Sequence, residues 1–194
     1  LVVDSITYKS QRNNISFGRS SSNLSELGFF QKPTPGNSNG EIKYPSILEK
    51  PQFSSKGGFY SSAVNITLTS IEGAIIRYTT NGSEPIVTSD VYTEPIDIES
   101  TACIRAKAFK DGLLESEINT HTFFIGVNKY LPVISLVTNN ENLFSDTAGI
   151  YVIGTNGSRS GCSSTPMNLN QDWERAVNLE LFDEQCNVQI NQLA

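Results

Sequence analysis

The densest group of chemically capable side chains in this 194-residue chain is Asp172-Trp173-Glu174-Arg175. A Trp flanked by two carboxylates and a guanidinium can face a partner or a substrate. It can equally plug a core, with Glu174 or Arg175 in an ion pair at its edge, since a lone Trp is highly buried on average. These four residues are the candidate interaction residues. Gly154, Gly157 and Gly161 do not fit G-x-G-x-x-G, and no Gly-Lys-Ser/Thr follows, so a phosphate-cradling loop is not indicated. A nucleophilic triad needs a His beside a Ser or Cys. The single His, His121, alternates with Phe123 and Ile125 in a strand-like run, a structural setting. Cys162 and Cys186 are far apart, and neither C-x-x-C nor H-E-x-x-H occurs. Calcium takes carboxylates and carbonyls from loops. Asp146, Asp172, Glu174 and Asp183 are its candidate ligands, against the commoner case of solvated surface carboxylates. Phe59-Tyr60 and Phe123-Phe124 could stack sugars, although aromatics of small sandwiches more often fill the core. The expectation is therefore no catalytic residue, no cofactor and no metal.

Composition narrows the class. Lys plus Arg is 14 and Asp plus Glu is 20, a net charge of −6. An acidic chain with scattered cations argues against nucleic acid or an anionic membrane as partner. Hydrophobic residues make up 38%, enough for a core, and charged residues only 18%. With abundant Ser, Thr and Asn, that is the composition of an extracellular β protein. No run of 18 apolar residues offers a membrane span. No signal peptide is visible and the chain begins at Leu1, which suggests a processed or excised piece. Cys103, Cys162 and Cys186 allow one disulfide, Cys162 with Cys186 being nearest in sequence, or three unpaired thiols.

The elements that must position these residues read as strands. Ile76, Tyr78 and Thr80 alternate with Arg77 and Thr79, the period of a half-buried strand, and Asn81-Gly82 then turns the chain. Val64, Ile66 and Leu68 alternate in the same way. Ala102, Ile104, Ala106 and Ala108 face one side, with Cys103, Arg105 and Lys107 on the other. Residues 118–125 make a further strand with both faces partly apolar. Gly57-Gly58 and Asp111-Gly112 add turn signals. Residues 51–128 thus predict a small antiparallel sandwich of immunoglobulin-like size. Before it, residues 2–8 and 15–19 are short strands, and Phe29-Phe30 is an apolar pair. The 34–40 stretch is punctuation, and 41–50 is a linker kept extended by Pro45 and Pro51. After it, 131–138 is an apolar, more buried strand, 142–145 a turn or short helix and 149–154 a short strand. Residues 155–170 read as a long loop, 176–182 as an alternating strand, and Val188 and Ile190 as a last one. The fold class is all-β: a central sandwich flanked by partial β segments.

Three stretches resemble known families. Pro51-Gln52-Phe53-Ser54, Gly57-Gly58-Phe59-Tyr60, Ile76 to Pro85, Ser89, Tyr92, Pro95-Ile96 and Ile104 to Ala108 resemble the chitobiase/β-hexosaminidase C-terminal-like domain. Asn81 stands where Asp is usual, and both suit the turn. The resemblance implies a non-hydrolytic module beside catalytic or adhesive domains of secreted bacterial proteins. Asp4 to Tyr8, Ser16 to Arg19 and Thr34-Pro35-Gly36 with Asn39 resemble the end of a bacterial lamin-tail-type domain, without that family's Asp-Gly and Trp after the Arg. Pro132 to Leu136, Asn142-Leu143-Phe144, Gly149 to Gly154, Asn170 to Arg175 and Glu180 to Asp183 resemble the start of the spore-coat-protein-H (CotH) kinase family. In those atypical secreted kinases the ATP and metal sites are built from acidic residues much later in the chain. The bacterial resemblance makes the five Asn-x-Ser/Thr matches chance ones.

Together these readings imply a division into 1–40, a lamin-tail-like remnant; 41–50, a linker; 51–128, the chitobiase-like sandwich; and 129–194, the start of a CotH-kinase-like domain. The implied role is a non-catalytic structural and interaction module, a spacer and support for a downstream kinase-like domain. Its partners would be neighbouring domains of the parent chain and a cell-surface protein or glycan, outside a bacterial cell. The alternatives are a carbohydrate-binding module, or part of a secreted atypical kinase whose active site lies elsewhere. The scaffold reading requires a rigid interface between 51–128 and 129–194.

Overall fold

The computed structural model describes residues 4–8, 11–41, 44–160 and 163–194. The first ladder joins β1 (Ser16–Arg19) to β2 (Leu27–Phe30), with Ser16 opposite Phe30 and Arg19 opposite Leu27. Phe17 and Phe29 pack as ring neighbours 4.8 Å apart, and Phe29 and Phe30 are buried. Asp4 to Tyr8 join no ladder, contrary to the strand expected there; Val2 and Val3 lie outside the described residues. Asp4 instead holds Arg19 in a 2.6 Å ion pair. The prolyl stretch that follows is tied down at Tyr44 and at Leu48. Tyr44 exchanges two backbone hydrogen bonds with Phe29, while Leu114 donates to the Ser46 carbonyl and accepts from Leu48.

The sandwich is built from β3 (Gln52–Phe53), β4 (Gly58–Tyr60), β5 (Val64–Ile66), β6 (Leu68–Thr69), β7 (Ile75–Thr79), β8 (Asp90–Val91), β9 (Ile96–Ile98), β10 (Ala102–Phe109) and β11 (Asn119–Ile125). One layer is a five-stranded sheet in the order β4-β11-β10-β7-β8, and the other consists of the pairs β3-β6 and β5-β9. Ile76, Ile104, Ala106 and Phe123 of the first layer meet Ile66, Leu68 and Ile98 of the second. This is the alternation read from the sequence, closed into an immunoglobulin-like sandwich. One departure from the expected antiparallel pattern occurs. β4 pairs with β11 in parallel, Phe59 opposite Phe124. No hairpin connects these two strands, so nothing forces them to run in opposite senses. At the turn after β7, Gly82 takes φ +79° and donates to the Cys103 carbonyl, and Asn81 Oδ1 accepts from the Ser83 amide at 3.0 Å. That is the left-handed corner for which Asn-Gly is suited.

The third segment contains β12 (Val133–Val137), α1 (Asn140–Phe144), β13 (Ser158–Ser160), β14 (Ser163–Met167), β15 (Asn178–Phe182) and β16 (Val188–Leu193). β12, β15 and β16 form an antiparallel three-stranded sheet in that order. Three expectations are corrected here. Residues 149–154 are turns and not a strand, because the Gly149, Ile150 and Tyr151 amides bond the carbonyls of Ser145, Asn142 and Leu143 around α1. The stretch 155–170 is not an open loop, since β13 and β14 pair within it; Gly161 and Cys162 lie outside the described residues. The 131–138 run is not deeply buried: Ile134 and Leu136 are 60% and 63% exposed.

The two apolar settings lead to opposite outcomes on truncation. Ile104→Ala removes a fully buried side chain and is expected to cost about 2–5 kcal/mol in denaturant unfolding, whereas Leu136→Ala should cost under about 0.5 kcal/mol. Equal losses would show that the core does not lie between the two sandwich layers.

Candidate functional site

By alternation, Arg105 and Lys107 on β10 and Thr120, Thr122 and Phe124 on β11 belong to the face of the five-stranded sheet turned away from the sandwich core. A solvent face is the obvious assignment. The side chains of Arg105, Lys107, Thr120 and Thr122 are nonetheless buried. The sheet β12-β15-β16 meets Thr120 and Thr122 through Asn191, Glu180 and Ser135, and it turns its more polar face inward, while Arg105 and Lys107 are held by Gly82, Asn139 and Glu115. On β15 the buried residues are Asn178, Glu180 and Phe182, with Leu179 and Leu181 on the opposite side.

Glu180 is at the centre of this contact, with no solvent exposure. Its Oε2 accepts the Thr122 amide at 2.9 Å and the Thr122 hydroxyl at 2.5 Å. Its Oε1 accepts from Asn191 Nδ2 at 3.3 Å and lies 3.8 Å from His121 Nδ1. Thr122 Oγ1 is also 2.8 Å from Ser135 Oγ on β12. The carboxyl group enters just before β4 begins to pair with β11, so it satisfies an amide that β4 does not reach. Gly57 makes the space: a Cβ there would stand 2.7 Å from the Thr122 carbonyl oxygen and 3.0 Å from Glu180 Oε1. His121 Nδ1 accepts the Gly57 amide at 3.1 Å, and its ring meets Phe53 edge-on at 4.8 Å. The lone His is thus a structural acceptor between strands.

Beside this polar centre sits an aromatic triangle. Phe59 and Phe124 stack at 4.5 Å, and both meet the fully buried Phe182 edge-on at 5.7 and 5.6 Å. The aromatics considered as a sugar platform are therefore divided. Phe59 and Phe124 pack against the third segment, and Tyr60 and Phe123 pack into the sandwich core. On the other flank, Arg105 Nη1 donates to the Gly82 carbonyl at 3.1 Å and to Asn139 Oδ1 at 3.2 Å. Asn139 Nδ2 donates to Glu84 at 2.8 Å, and Lys107 pairs with Glu115 at 2.6 Å. Burial draws Arg105 below the ordinary guanidinium pKa, with nearby charges of Cys103 and Glu84 opposing the shift.

The candidate cluster of the third segment lies elsewhere. Asp172 and Glu174 are exposed and Trp173 is half-buried. The Arg175 guanidinium covers the Trp173 ring at 4.8 Å and donates to the Ala148 carbonyl from Nε and Nη2, at 3.0 and 2.6 Å. It bonds backbone oxygens, including that of Glu174, where an ion pair was the alternative. Asp146 accepts from Thr155, and Asp183 accepts the Gln185 and Asn187 amides in the turn before β16. Those amides, Asn187 first, hold the Asp183 carboxyl below the usual range. Among the described residues no three His, Cys, Asp or Glu side chains gather to hold a metal.

Glu180, Thr122, Phe182 and Arg105 were not singled out by type or spacing. The available signal was the alternation in β15, where Asn178, Glu180 and Phe182 share a face. Compared with known families, residues 55–121 match the model of the chitobiase/beta-hexosaminidase C-terminal domain. That is a non-catalytic, immunoglobulin-like accessory domain of carbohydrate-active proteins. No curated protein matches the chain.

Cys103 and Cys186 carry free thiols, Cys103 beneath this contact and Cys186 exposed; Cys162, proposed as a pairing partner, lies outside the described residues. Burial, with the Glu180 carboxylate adding to it, pushes the Cys103 thiol up to about 11 from 9.0. Folding thus favours the protonated thiol. The stabilisation is whole below pH 9, falls as pH rises towards 11 and amounts to about 3 kcal/mol. Alkylation at pH 8 with peptide mapping should label Cys186 and spare Cys103, and Cys103→Ala should flatten the alkaline loss of stability. Comparable labelling of both cysteines would contradict the burial.

Proposed function

We propose that this chain is a non-catalytic scaffold within a larger secreted or surface-exposed bacterial protein. In this reading the sandwich of 51–128 is a rigid support, and 129–194 is the opening β segment of a CotH-kinase-like domain that it carries. Residues 1–40 close a lamin-tail-like domain, joined through the 41–50 stretch. The observation that carries the proposal is Glu180, a completely buried carboxyl bridging two sheets through the Thr122 amide and hydroxyl. A flexible tether between independent units has no need of such a contact, because a buried carboxyl without fixed donors is costly.

The far side of the small sheet supports the second half of the reading. Opposed pairs Ile134 with Leu181, Leu136 with Leu179 and Leu181 with Ile190 place five apolar side chains on one outer face. Contiguous apolar surface of this kind marks an interaction site. Further elements of the carried domain would cover it. The sandwich aromatics give the sugar-binding alternative no support, because Phe59 and Phe124 are engaged with Phe182.

The direct test is rotational. Backbone ¹⁵N relaxation should give residues 51–128 and 129–194 one common tumbling time, as for a single rigid body. Distinct tumbling times for the two would remove the support role.

A further inference from the structure

Arg12, Lys50, Arg105 and Lys107 all border one cleft of about 300 Å³, with Glu84 and Glu117 as its carboxylates. The cleft lies where all three parts of the chain meet. Arg12 comes from the first, Lys50 from the connecting stretch, and Arg105 and Lys107 from the sandwich. Asn139, Asn142 and Asn178 close it from the third segment. In a chain of net charge −6, four of the 14 basic side chains on one cleft is a local reversal of sign.

The cations differ in how they are matched. Lys107 pairs with Glu115 at 2.6 Å and lies 3.9 Å from Glu84, and Lys50 and Arg12 pair with Glu117 at 3.2 and 3.8 Å. Arg105 is different. It is only 6% exposed, yet its hydrogen-bond partners are neutral oxygens, those of Gly82 and Asn139, and its Nε is buried with no hydrogen-bond partner. The Glu84 carboxylate acts on it from beyond Asn139, so the desolvated guanidinium has a negative neighbour but no carboxylate in direct contact. Around it, the Asn13, Asn14, Asn142 and Asn178 amides and the Thr120 and Thr138 hydroxyls line a polar wall. Ile118, Val137 and Leu193 complete the lining, so the cleft suits a body with both hydroxyl and apolar faces.

We infer that this three-way cleft binds a small polar molecule through an oxyanion, a carboxylate or a phosphate, set against Arg105, with Lys50 and Arg12 at the rim. The ligand would touch all three parts of the chain and so fasten the junction that the scaffold role uses. The site stands or falls separately from that role, because the Glu180 contact does not line it.

The test is an NMR titration of the whole chain with three probes: glucuronate, inorganic phosphate and glucose. Glucuronate, phosphate or both should shift the amides of residues 12–14, 105–107 and 138–142 saturably, and glucose should not. Response to glucuronate alone would identify a carboxylate-bearing sugar, and response to phosphate alone a phosphorylated ligand. Binding should weaken as salt is raised. Arg105→Gln should weaken it at least about tenfold, the worth of a hydrogen bond to a charged group. Since Arg105 also holds Asn139, Lys50→Gln serves as the second variant: folded as before, and roughly two- to fivefold weaker in binding. Absence of saturable shifts at millimolar probe, shifts elsewhere on the surface, or equal binding of glucose would each overturn the site.

Discussion

The whole arrangement depends on where one carboxyl group is placed. Glu180 carries its side chain from the small sheet into the edge of the sandwich, and there it takes the amide and hydroxyl of Thr122. Three neighbours serve that placement. Gly57 leaves the room, Asn191 donates to the second oxygen, and Ser135 shares the threonine hydroxyl. Phe182, two residues along, fills the apolar hole beside it against Phe59 and Phe124. A buried polar contact of this kind adds little net stability over an apolar one, but it penalises every other register. A one-residue slip of β15 would point Leu179 or Leu181 at the Thr122 amide and expose Phe182. The joint is therefore specified in register as well as covered by apolar surface.

How much of this could be read from the residues depended on whether the cause was local. The sandwich was legible because its strands alternate and its turns carry Asn-Gly, Asp-Gly and Gly-Gly. Ile76, Ile104 and Ile66 are core residues, as their period implies. The β4-β11 parallel pairing was not legible, because pairing between distant strands leaves no local trace. The short segment 149–154 looks like a strand by composition. It is bent into turns by amide bonds to α1 carbonyls that no alternation pattern encodes. Which face a strand buries was not legible either. In β15 the leucines share one face and Asn178, Glu180 and Phe182 the other, and only tertiary contact decides that the second is the inner one. The four-residue Trp173 cluster was conspicuous by type, yet Arg175 is occupied with the Ala148 carbonyl and the Trp ring.

Burial of the polar face has a consequence for the segment as a whole. By turning Asn178, Glu180 and Phe182 inward, the small sheet leaves Leu179, Leu181, Ile134, Leu136 and Ile190 along its outer surface. A sheet with one polar face buried and one apolar face uncovered is half of a two-sided layer. That geometry suits a supporting element between the sandwich and whatever packs outside it, the place a scaffold would occupy.

Amide hydrogen exchange at Thr122 tests the central contact most directly, because that N–H depends on Glu180 and not on a neighbouring strand. The Thr122 amide should exchange as slowly as the core amides of β10, and Glu180→Ala should accelerate it at least about tenfold, the equivalent of one lost hydrogen bond to a carboxyl group. Exchange as fast as that of exposed turn amides in the unaltered chain, or no acceleration in the variant, would contradict the account.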